Sequence, residues 1–292
     1  MAIGAALCGC GGGGDAPNSS PVIRSPITPV APNNPSSGST GEVPNLPGWV
    51  LVWNDEFDVP GLPDASKWDY DTEYNQRGWW NNELQYYSRN REDNARVADG
   101  KLHITARRQR LSTAWDFGGQ NYTSARLITR GKASWIYGRF EIRAKLPCTL
   151  GTWPAIWTLG TGGVWPDDGE IDIMEQKGFS NADKQQVLGT LHMRGAFGGS
   201  GPSAVRSLPN ACTDFNTYHM TWDANRIVIG VNGSDYQSYV NPHNGQYAQW
   251  PFDRPQYLLL NVAIGGTLGG WVDDSRLPAS MEVDFVRVYR RQ

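Results

Sequence analysis

The stretch PDDGEIDIMEQKG, residues 166–178, places three acids within six positions of an apolar run: Glu170, Asp172 and Glu175. Side chains alternate between the two faces of a regular strand, so Glu170 and Asp172 would share one face and Glu175 would point to the other. A β-bulge at 173–174 would add one residue and return Glu175 to the face of the other two. The stretch therefore predicts a bulged β-strand with one acidic face and one apolar face packed into a core.

Five further segments carry strand signals. In KLHITAR (101–107) and GRFEIRAKLP (138–147) apolar and polar residues alternate, and in RIVIGVNGSDYQSY (226–239) an Asn-Gly turn separates two strands. QYLLLNVAIGG (256–266) is a continuous apolar run, typical of a strand buried on both faces, and MEVDFVRVYR (281–290) is the last predicted strand. No long window has a convincing period of 3.6 residues, so the pattern predicts an all-β sandwich.

Composition divides the chain into three parts. Residues 47–292 carry the strand signals and form the predicted sandwich domain, whereas residues 11–46 are rich in Pro, Ser, Asn and Gly and predict a disordered linker. Residues 1–10 end in LCGC before a run of Gly, which resembles the cleavage box of bacterial lipoproteins and would make Cys10 the lipidated residue. We expect a cell-surface lipoprotein of the outer membrane or periplasm, with ordinary secretion as the alternative.

The charge and the aromatic content bound the function. A formal net charge of −3 without a Lys/Arg block argues against a nucleic-acid partner or a polybasic membrane patch. The chain contains 13 Trp, 12 Tyr and 34 Gly. Some of these Trp residues belong in the core, but so many also predict a flat apolar platform for a ligand. The C–H faces of carbohydrate rings suit such a platform.

Three acids on one strand face suit one kind of chemistry in particular. Hydrolysis of a glycosidic bond uses two carboxyl groups, of which one attacks or activates water and the other stays protonated to donate to the leaving oxygen. A third carboxyl between them can keep their pKa values apart by like-charge and hydrogen-bond coupling. The alternative is a calcium-binding or solvated acidic strand.

The motif GEIDIME resembles the signature of glycoside hydrolase family 16, in the branch whose catalytic strand carries the bulge. The flanking segments WNDEFD, WWNNELQYYS, YTSARL, YGRFEIRAKLP, GTWPAIWTLG, GTLH, LLLNVAIGG and VDFVRVY agree in order, and the resemblance covers about residues 48–290. It is closest to bacterial endo-β-1,3-glucanases (laminarinases). The resemblance implies a β-jelly-roll sandwich of two curved antiparallel sheets with a concave substrate cleft. It also implies a retaining double displacement without a catalytic cofactor.

The resemblance assigns a role to each acid. Glu170 is the expected nucleophile, and Glu175 is the expected general acid that later acts as general base. Asp172 lies between them and tunes their protonation. A retaining mechanism requires the carboxyls of Glu170 and Glu175 to lie about 5–5.5 Å apart.

Further residues match positions that bind sugar in the family. We expect the tryptophans to stack on or flank the rings, the Asn and Arg to bind hydroxyls, and the His to border the acid/base. These residues are Trp153, Trp157, Trp165, Asn82, Arg126 and His192. Each also has an ordinary structural interpretation: a core tryptophan, a buried ion pair for the arginine, or a hydrogen-bonded structural histidine.

The resemblance also implies features away from the cleft. Many members bind one structural Ca²⁺, and the matching oxygen donors are Glu56, the carbonyl of Gly100 and Asp284, although the two acids could instead make ordinary hydrogen bonds. Cys148 and Cys212 match a cysteine pair of some bacterial members, which makes a disulfide plausible.

The sequence departs from the family pattern at two places near the cleft. Trp80 stands where Gly is usual, and Gln176-Lys177 replaces an aromatic or His followed by a small residue. The expected function is an exported, monomeric endo-β-1,3-glucanase. The alternatives are the same chemistry on mixed-linkage β-1,3-1,4-glucan or on a galactan such as agar or carrageenan, a transglycosylase, and a non-catalytic β-glucan-binding module.

Overall fold

The computed structural model describes Val43 and residues 46–292 of the chain. The predicted signal remnant at 1–10 with Cys10, and the predicted linker at 11–46 apart from Val43 and Leu46, lie outside the described residues. In the part that is described, no helix is both long enough and apolar enough to cross a membrane.

The described residues form 17 strands, one short α-helix and four 3₁₀ helices. The strands are β1 (Trp49–Asp55), β2 (Asp69–Tyr70), β3 (Gln85–Tyr87), β4 (Ala95–Ala98), β5 (Lys101–Arg108), β6 (Tyr122–Ser124), β7 (Arg126–Ile128), β8 (Gly138–Lys145), β9 (Thr152–Gly160), β10 (Glu170–Glu175), β11 (Gln186–His192), β12 (Ser203–Ser207), β13 (Asn216–Trp222), β14 (Arg226–Val231), β15 (Ser234–Val240), β16 (Gln256–Ile264) and β17 (Ala279–Arg291). The helix α1 covers Gly266–Gly269, and the 3₁₀ helices cover Trp80–Asn82, Asp183–Gln185, Gly198–Ser200 and Asp274–Arg276.

The strands form two sheets, which confirms the predicted all-β sandwich. The larger sheet has the order β15-β14-β13-β8-β17-β5-β6-β3, with β1 on β17 and β4 on β5. The smaller sheet has the order β12-β11-β10-β9-β16-β7-β2 and contains the acidic strand β10 near its middle. Neighbouring strands are antiparallel except β3 and β6, which run parallel.

The core lies between the sheets, and the alternating segments supply it as predicted. Leu102 and Ile104 of β5 and Phe140 and Ile142 of β8 are fully buried, whereas their neighbours in sequence are more exposed. One apolar cluster joins these residues to side chains from the inner face of the smaller sheet. Burial of this apolar surface is the main favourable contribution to the stability of the sandwich.

Two local predictions are confirmed. The turn between β14 and β15 consists of Asn232 (φ 52°) and Gly233 (φ 75°), and two consecutive positive φ angles are the geometry for which an Asn-Gly hairpin turn is selected. Every residue of β16 is buried. Leu258 and Leu260 face the core between the sheets, whereas Leu259 belongs to a second, smaller apolar cluster on the opposite face.

The strand β12 lies in a segment for which the sequence predicted no element. It pairs with β11 at the edge of the smaller sheet, and four of its five residues are exposed while the fifth, Ala204, is half-buried. An edge strand with no face in the core needs no apolar alternation, so its sequence carries no strand period.

Candidate active site

The predicted bulge is present in β10. Against β9, Asp172 pairs with Trp157 and Met174 with Ile156, so two residues of β10 oppose one of β9. Against β11 the register shifts in the same place, between Asp172 and Glu175. The extra residue brings Glu175 back to the face of Glu170 and Asp172.

The pairing shows which residues share that face, because directly opposed residues of antiparallel strands lie on the same side of a sheet. We call the side of the smaller sheet turned away from the core the cleft face. Besides the three acids it carries His192 and Thr190 of β11, Trp153, Ala155, Trp157 and Leu159 of β9, Tyr257, Leu259, Asn261 and Ala263 of β16, and Arg126 and Ile128 of β7.

Glu170 lies at one end of the acidic row. The indole N–H of Trp165 donates to its Oε2 at 2.5 Å, and Trp165 is 52% exposed beside the acidic row. Burial and the neighbouring Asp172 carboxyl raise the pKa of Glu170 to about 8, although Trp165 favours the ionised form. A hydrogen bond between the two carboxyls requires one proton on either Glu170 or Asp172, and the interaction with Asp172 favours the protonated form of Glu170.

Asp172 is the most enclosed of the three acids, with 2% of its surface exposed. Burial and the Glu175 carboxyl raise its pKa well above the usual range. His192 Nε2 lies 3.2 Å from Asp172 Oδ2 but is not aligned for a full hydrogen bond. The backbone N–H of Gly198 donates to His192 Nδ1 at 3.0 Å, which leaves the ring proton on Nε2, facing Asp172.

Glu175 lies at the other end of the row and receives a hydrogen bond of 2.9 Å from the indole N–H of Trp153. Burial and the Glu170 carboxyl raise its pKa to about 7, while Trp153 and the charge of Lys177 act in the opposite direction. A carboxyl with this pKa is protonated in part of the population near neutral pH. It is therefore suited to give and take back a proton.

Trp153 differs from its expected role. Only 8% of its surface is exposed, so it offers little area for stacking and instead orients Glu175 through its N–H. Trp157 is half-buried, and its N–H donates to Asn261 Oδ1 at 2.7 Å, which fixes the ring on the cleft face.

Arg126 is on the cleft face, but its guanidinium already forms an ion pair within the protein. It is 6% exposed, and its Nε lies 3.1 Å from Asp71 Oδ2. The guanidinium packs between Trp79 at 5.1 Å and Trp157 at 4.6 Å from the ring centroids. The structural interpretation as a buried ion pair therefore describes Arg126, and it supports the aromatic platform from below.

A hydrogen-bond chain that the sequence did not indicate extends from this platform. Asn261 donates to the hydroxyl of Tyr87 at 3.0 Å, and Tyr87 donates to Glu83 Oε2 at 3.3 Å. Gln85 also donates to Glu83 at 2.7 Å. Burial raises the pKa of Glu83 despite the attraction of Arg126. Gln85 and Tyr87 lie on β3 of the larger sheet and Glu83 just before it, so their contact with Asn261 of the smaller sheet could not be read from local sequence.

The bulge is supported from the opposite sheet by Tyr236 of β15. Its hydroxyl lies 3.4 Å from the carbonyl of Ile173, the residue where the ladder of β10 is broken. Gly189 is the single residue of β11 opposite the bulge. A Cβ there would lie 3.1 Å from Ile229 and 3.2 Å from the Tyr236 hydroxyl, so glycine leaves room for the tyrosine to reach the bulge.

A buried lysine holds the ends of β9 and β10 together. Lys184 is 3% exposed, and its ammonium donates to the carbonyl of Thr152 at 2.8 Å and to Gln176 Oε1 at 3.2 Å. Thr152 precedes Trp153, and Gln176 follows Glu175. The departure at Gln176 is thus buried away from the cleft, whereas Lys177 acts on the pKa of Glu175.

The expected calcium donors already have partners. Arg287 forms a two-pronged ion pair with Glu56 at 2.9 and 2.8 Å, and Arg143 pairs with Asp284 at 2.5 Å. In this arrangement the residues do not fit a Ca²⁺ ion, because a cation there would have to displace both guanidinium groups. Gly100 lies in the exposed turn between β4 and β5.

The expected disulfide is not formed. Cys148 and Cys212 are both free thiols, although they are hydrogen-bonded neighbours. Burial and the Cys148 thiol raise the pKa of Cys212 to about 12.

Among residues 46–292, one cluster has three potential metal-ligating side chains: Glu170, Asp172 and His192, whose ligand atoms lie within 4.8 Å of one another. His192 directs its protonated Nε2 at this cluster and therefore presents no lone pair to a cation in this tautomer. The arrangement favours proton chemistry between the carboxyls.

Known proteins resemble this chain in sequence and in fold. Residues 82–287 match the model of the glycosyl hydrolases family 16. A β-glucanase from Rhodothermus marinus is 48% identical over 258 residues, which cover 84% of this chain and 86% of that protein. The solved laminarinase from the same organism superposes with a TM-score of 0.78 at 47% identity, covering 85% of this chain and 100% of the other.

A second solved structure, SCLam, is described as a non-specific endo-β-1,3(4)-glucanase from family GH16. It has a TM-score of 0.82 and 45% identity, and the match covers 86% of this chain and 94% of the other. These neighbours share the jelly-roll architecture that the sequence predicted for this chain.

The hydrogen bond from Trp153 predicts how the pH profile responds to mutation. An acid at Glu175 must be protonated, so kcat/KM should fall as pH rises through about 7. The N–H of Trp153 stabilises the ionised form, so Trp153→Phe should raise the pKa of Glu175 and move this alkaline limb upward by about one pH unit. Trp157→Phe, which removes an N–H bonded to Asn261, is the control and should leave the limb in place. An unmoved limb in Trp153→Phe would contradict the prediction.

The contact from Tyr236 predicts a positioning effect. Tyr236→Phe should lower kcat about tenfold with little change in KM, because the bulge carbonyl loses its partner and Glu175 is held less accurately. Tyr239→Phe is the matched control, since Tyr239 lies on the same strand and donates to Gln249 instead. Steady-state kinetics of both variants check this. Equal losses in the two would show a general effect on the sheet.

Proposed function

The chain belongs to the glycosyl hydrolases of family 16, and on that premise we propose that it is a retaining endo-glycosidase that cleaves β-1,3-glucan of the laminarin type. The observation that carries the mechanism is the bulge in β10, which places Glu170 and Glu175 on one face beside the aromatic platform. The pKa of Glu175, raised to about 7, suits its role as acid. Burial and Asp172 raise the pKa of Glu170 to about 8, so Glu170 must lose its proton before it attacks.

In the first step the Glu170 carboxylate attacks the anomeric carbon while Glu175 gives its proton to the leaving oxygen. The glycosidic C–O bond breaks, an ester to Glu170 forms, and the shortened chain leaves with the proton. Attack requires an ionised Glu170, so the proposed mechanism places the proton on Asp172, which then donates to the nucleophile. Trp165 stabilises the attacking carboxylate through its N–H.

In the second step Glu175, now ionised, takes a proton from water. The resulting hydroxide attacks the anomeric carbon from the face that the leaving group vacated, and the bond to Glu170 breaks. Two inversions give net retention. Transfer of its proton to the first product leaves Glu175 charged, and the hydrogen bond from Trp153 stabilises that charge.

The substrate class follows from the relatives and from the platform. The relatives named as β-glucanase and laminarinase support β-1,3-glucan. The relative described as non-specific supports mixed-linkage β-1,3-1,4-glucan as the second candidate. Galactans remain an alternative polymer for the same mechanism, and transglycosylation remains an alternative fate of the intermediate. A non-catalytic binding module would have no use for a protonatable row of buried carboxyls.

Product analysis tests the proposal. The chain from residue 47 is incubated with laminarin, mixed-linkage glucan, agarose and carrageenan, and the products are separated by chromatography. We expect short β-1,3 oligosaccharides whose new reducing ends have the β configuration when observed at once by NMR. Glu170→Gln should lower kcat by more than about a thousandfold and still bind laminarin.

Each other result has a distinct meaning. Cleavage of a galactan instead would keep the mechanism and overturn the substrate. Release of α reducing ends would exclude Glu170 as a nucleophile. Binding of laminarin without cleavage of any polymer would identify a binding module. Trp115→Ala, a change at an 89% exposed residue outside the cleft face, is the control for handling losses.

A structural Ca²⁺ at Glu56, Gly100 and Asp284 stays a prediction of the family resemblance, and it requires Arg287 and Arg143 to release the two carboxylates. If the ion binds, the melting temperature of the wild type should be several degrees higher in Ca²⁺ than in EDTA. The melting temperature of Asp284→Asn should be the same in both. Equal melting temperatures of the wild type in Ca²⁺ and in EDTA would leave ordinary ion pairs at these positions.

Export belongs to the same proposal, because a polysaccharide is too large to reach an enzyme inside the cell. The lipoprotein-like LCGC supports a lipid on Cys10, and mass spectrometry of the protein from cell envelopes would detect or exclude it. The protein is proposed to act as a monomer, which its elution volume in gel filtration would test.

A further inference from the structure

We propose that Trp80, backed by Tyr74, forms an additional sugar-binding subsite at the rim of the cleft, where its exposed indole face stacks on a neutral pyranose ring of the glucan chain. The inference rests on the proposed function, since it assumes a polysaccharide in the cleft. It assigns a role to a surface that the mechanism above does not use.

Trp80 is exposed and yet held by aromatic neighbours. It is 55% exposed, and the ring of Tyr74 lies behind it at a centroid distance of 4.0 Å. Trp79 contacts it edge-on at 6.2 Å. A large aromatic surface that is left in water but fixed in one orientation is a feature of binding sites, because stacking on a ligand then costs little conformational entropy.

The turn that carries Trp80 is rigid. Asn81 (φ 60°) and Asn82 (φ 58°) adopt the left-handed conformation, which Asn tolerates better than most residues. The N–H of Glu83 closes the turn on the Trp80 carbonyl at 3.2 Å, and Glu83 pairs with Gly265 at the end of β16. The turn is therefore attached to the same sheet that carries the acids.

The position of the turn sets its distance from the reacting bond. Trp79, the residue immediately before Trp80, packs on Arg126 of β7 on the cleft face. In the smaller sheet β7 is three strands from β10, which is about 14 Å at the usual strand spacing. A sugar ring stacked on Trp80 is thus remote from the glycosidic bond that Glu170 attacks. Only a substrate of several sugar units can reach both Trp80 and Glu170.

The polar surroundings fit a sugar. Asn82 is exposed, and its side chain has no hydrogen-bond partner within residues 46–292, so its amide is free to donate to one hydroxyl and accept from another. The side chain of Asn81 is directed to Glu83. An aromatic face beside a free amide is the combination that recognises a neutral pyranose ring with its hydroxyls.

The test measures kcat/KM of the wild type, Trp80→Ala and Trp80→Phe on β-1,3-glucan oligosaccharides of increasing length. Trp80→Ala should lose about three- to tenfold on the longest oligosaccharides and less than twofold on the shortest one that the wild type cleaves. Trp80→Phe should retain most of the activity, because it keeps a ring to stack. Calorimetric binding of a long oligosaccharide to the same variants on a Glu170→Gln background should show the same order.

Trp115→Ala is the matched control, since Trp115 is 89% exposed and belongs to another loop. Equal losses at all lengths, or an equal loss in Trp115→Ala, would overturn the subsite. If the wild type cleaves no β-1,3 oligosaccharide, the proposed function fails. The binding measurement then tests the subsite independently. Equal affinities of the Glu170→Gln protein and its Trp80→Ala variant for the long oligosaccharide would overturn the subsite.

Discussion

The bulge in β10 is the constraint on which the site depends. Without the extra residue, Glu175 would point into the apolar core, where an ionisable group without a partner is very costly. With it, three carboxyls share one face and raise one another's pKa values. The bulge requires a local partner for the interrupted ladder and room on the neighbouring strand, and Tyr236 and Gly189 provide these.

The hydrogen bonds to the acids come from neutral groups, which explains how the row keeps its protons. The indole N–H of Trp165 donates to Glu170, and that of Trp153 donates to Glu175. A guanidinium in direct contact would hold these carboxyls fully ionised at neutral pH, and no proton would remain for the leaving group. The one buried arginine of the cleft face, Arg126, is three strands away and is neutralised by Asp71.

Much of this could be predicted from sequence because it rests on local spacing. The odd offset between Asp172 and Glu175 required a bulge, and the alternation in β5 and β8 identified one face of the core. The remaining features depend on which strands meet in space. Tyr236 reaches the bulge from the other sheet, and Arg126 pairs with Asp71, which follows β2 and is far from Arg126 in sequence. No local pattern records such contacts.

The tryptophans show the same limit of prediction from sequence. Composition predicted a platform but could not say which rings stack and which position other groups. The partner of each indole N–H distinguishes these roles. Trp153 and Trp165 donate to the acids, whereas Trp157 donates to Asn261 and packs against the Arg126 guanidinium. Binding and proton transfer are therefore coupled through these rings. A sugar that displaces Trp165 by even a fraction of an ångström also alters the hydrogen bond that stabilises the Glu170 carboxylate.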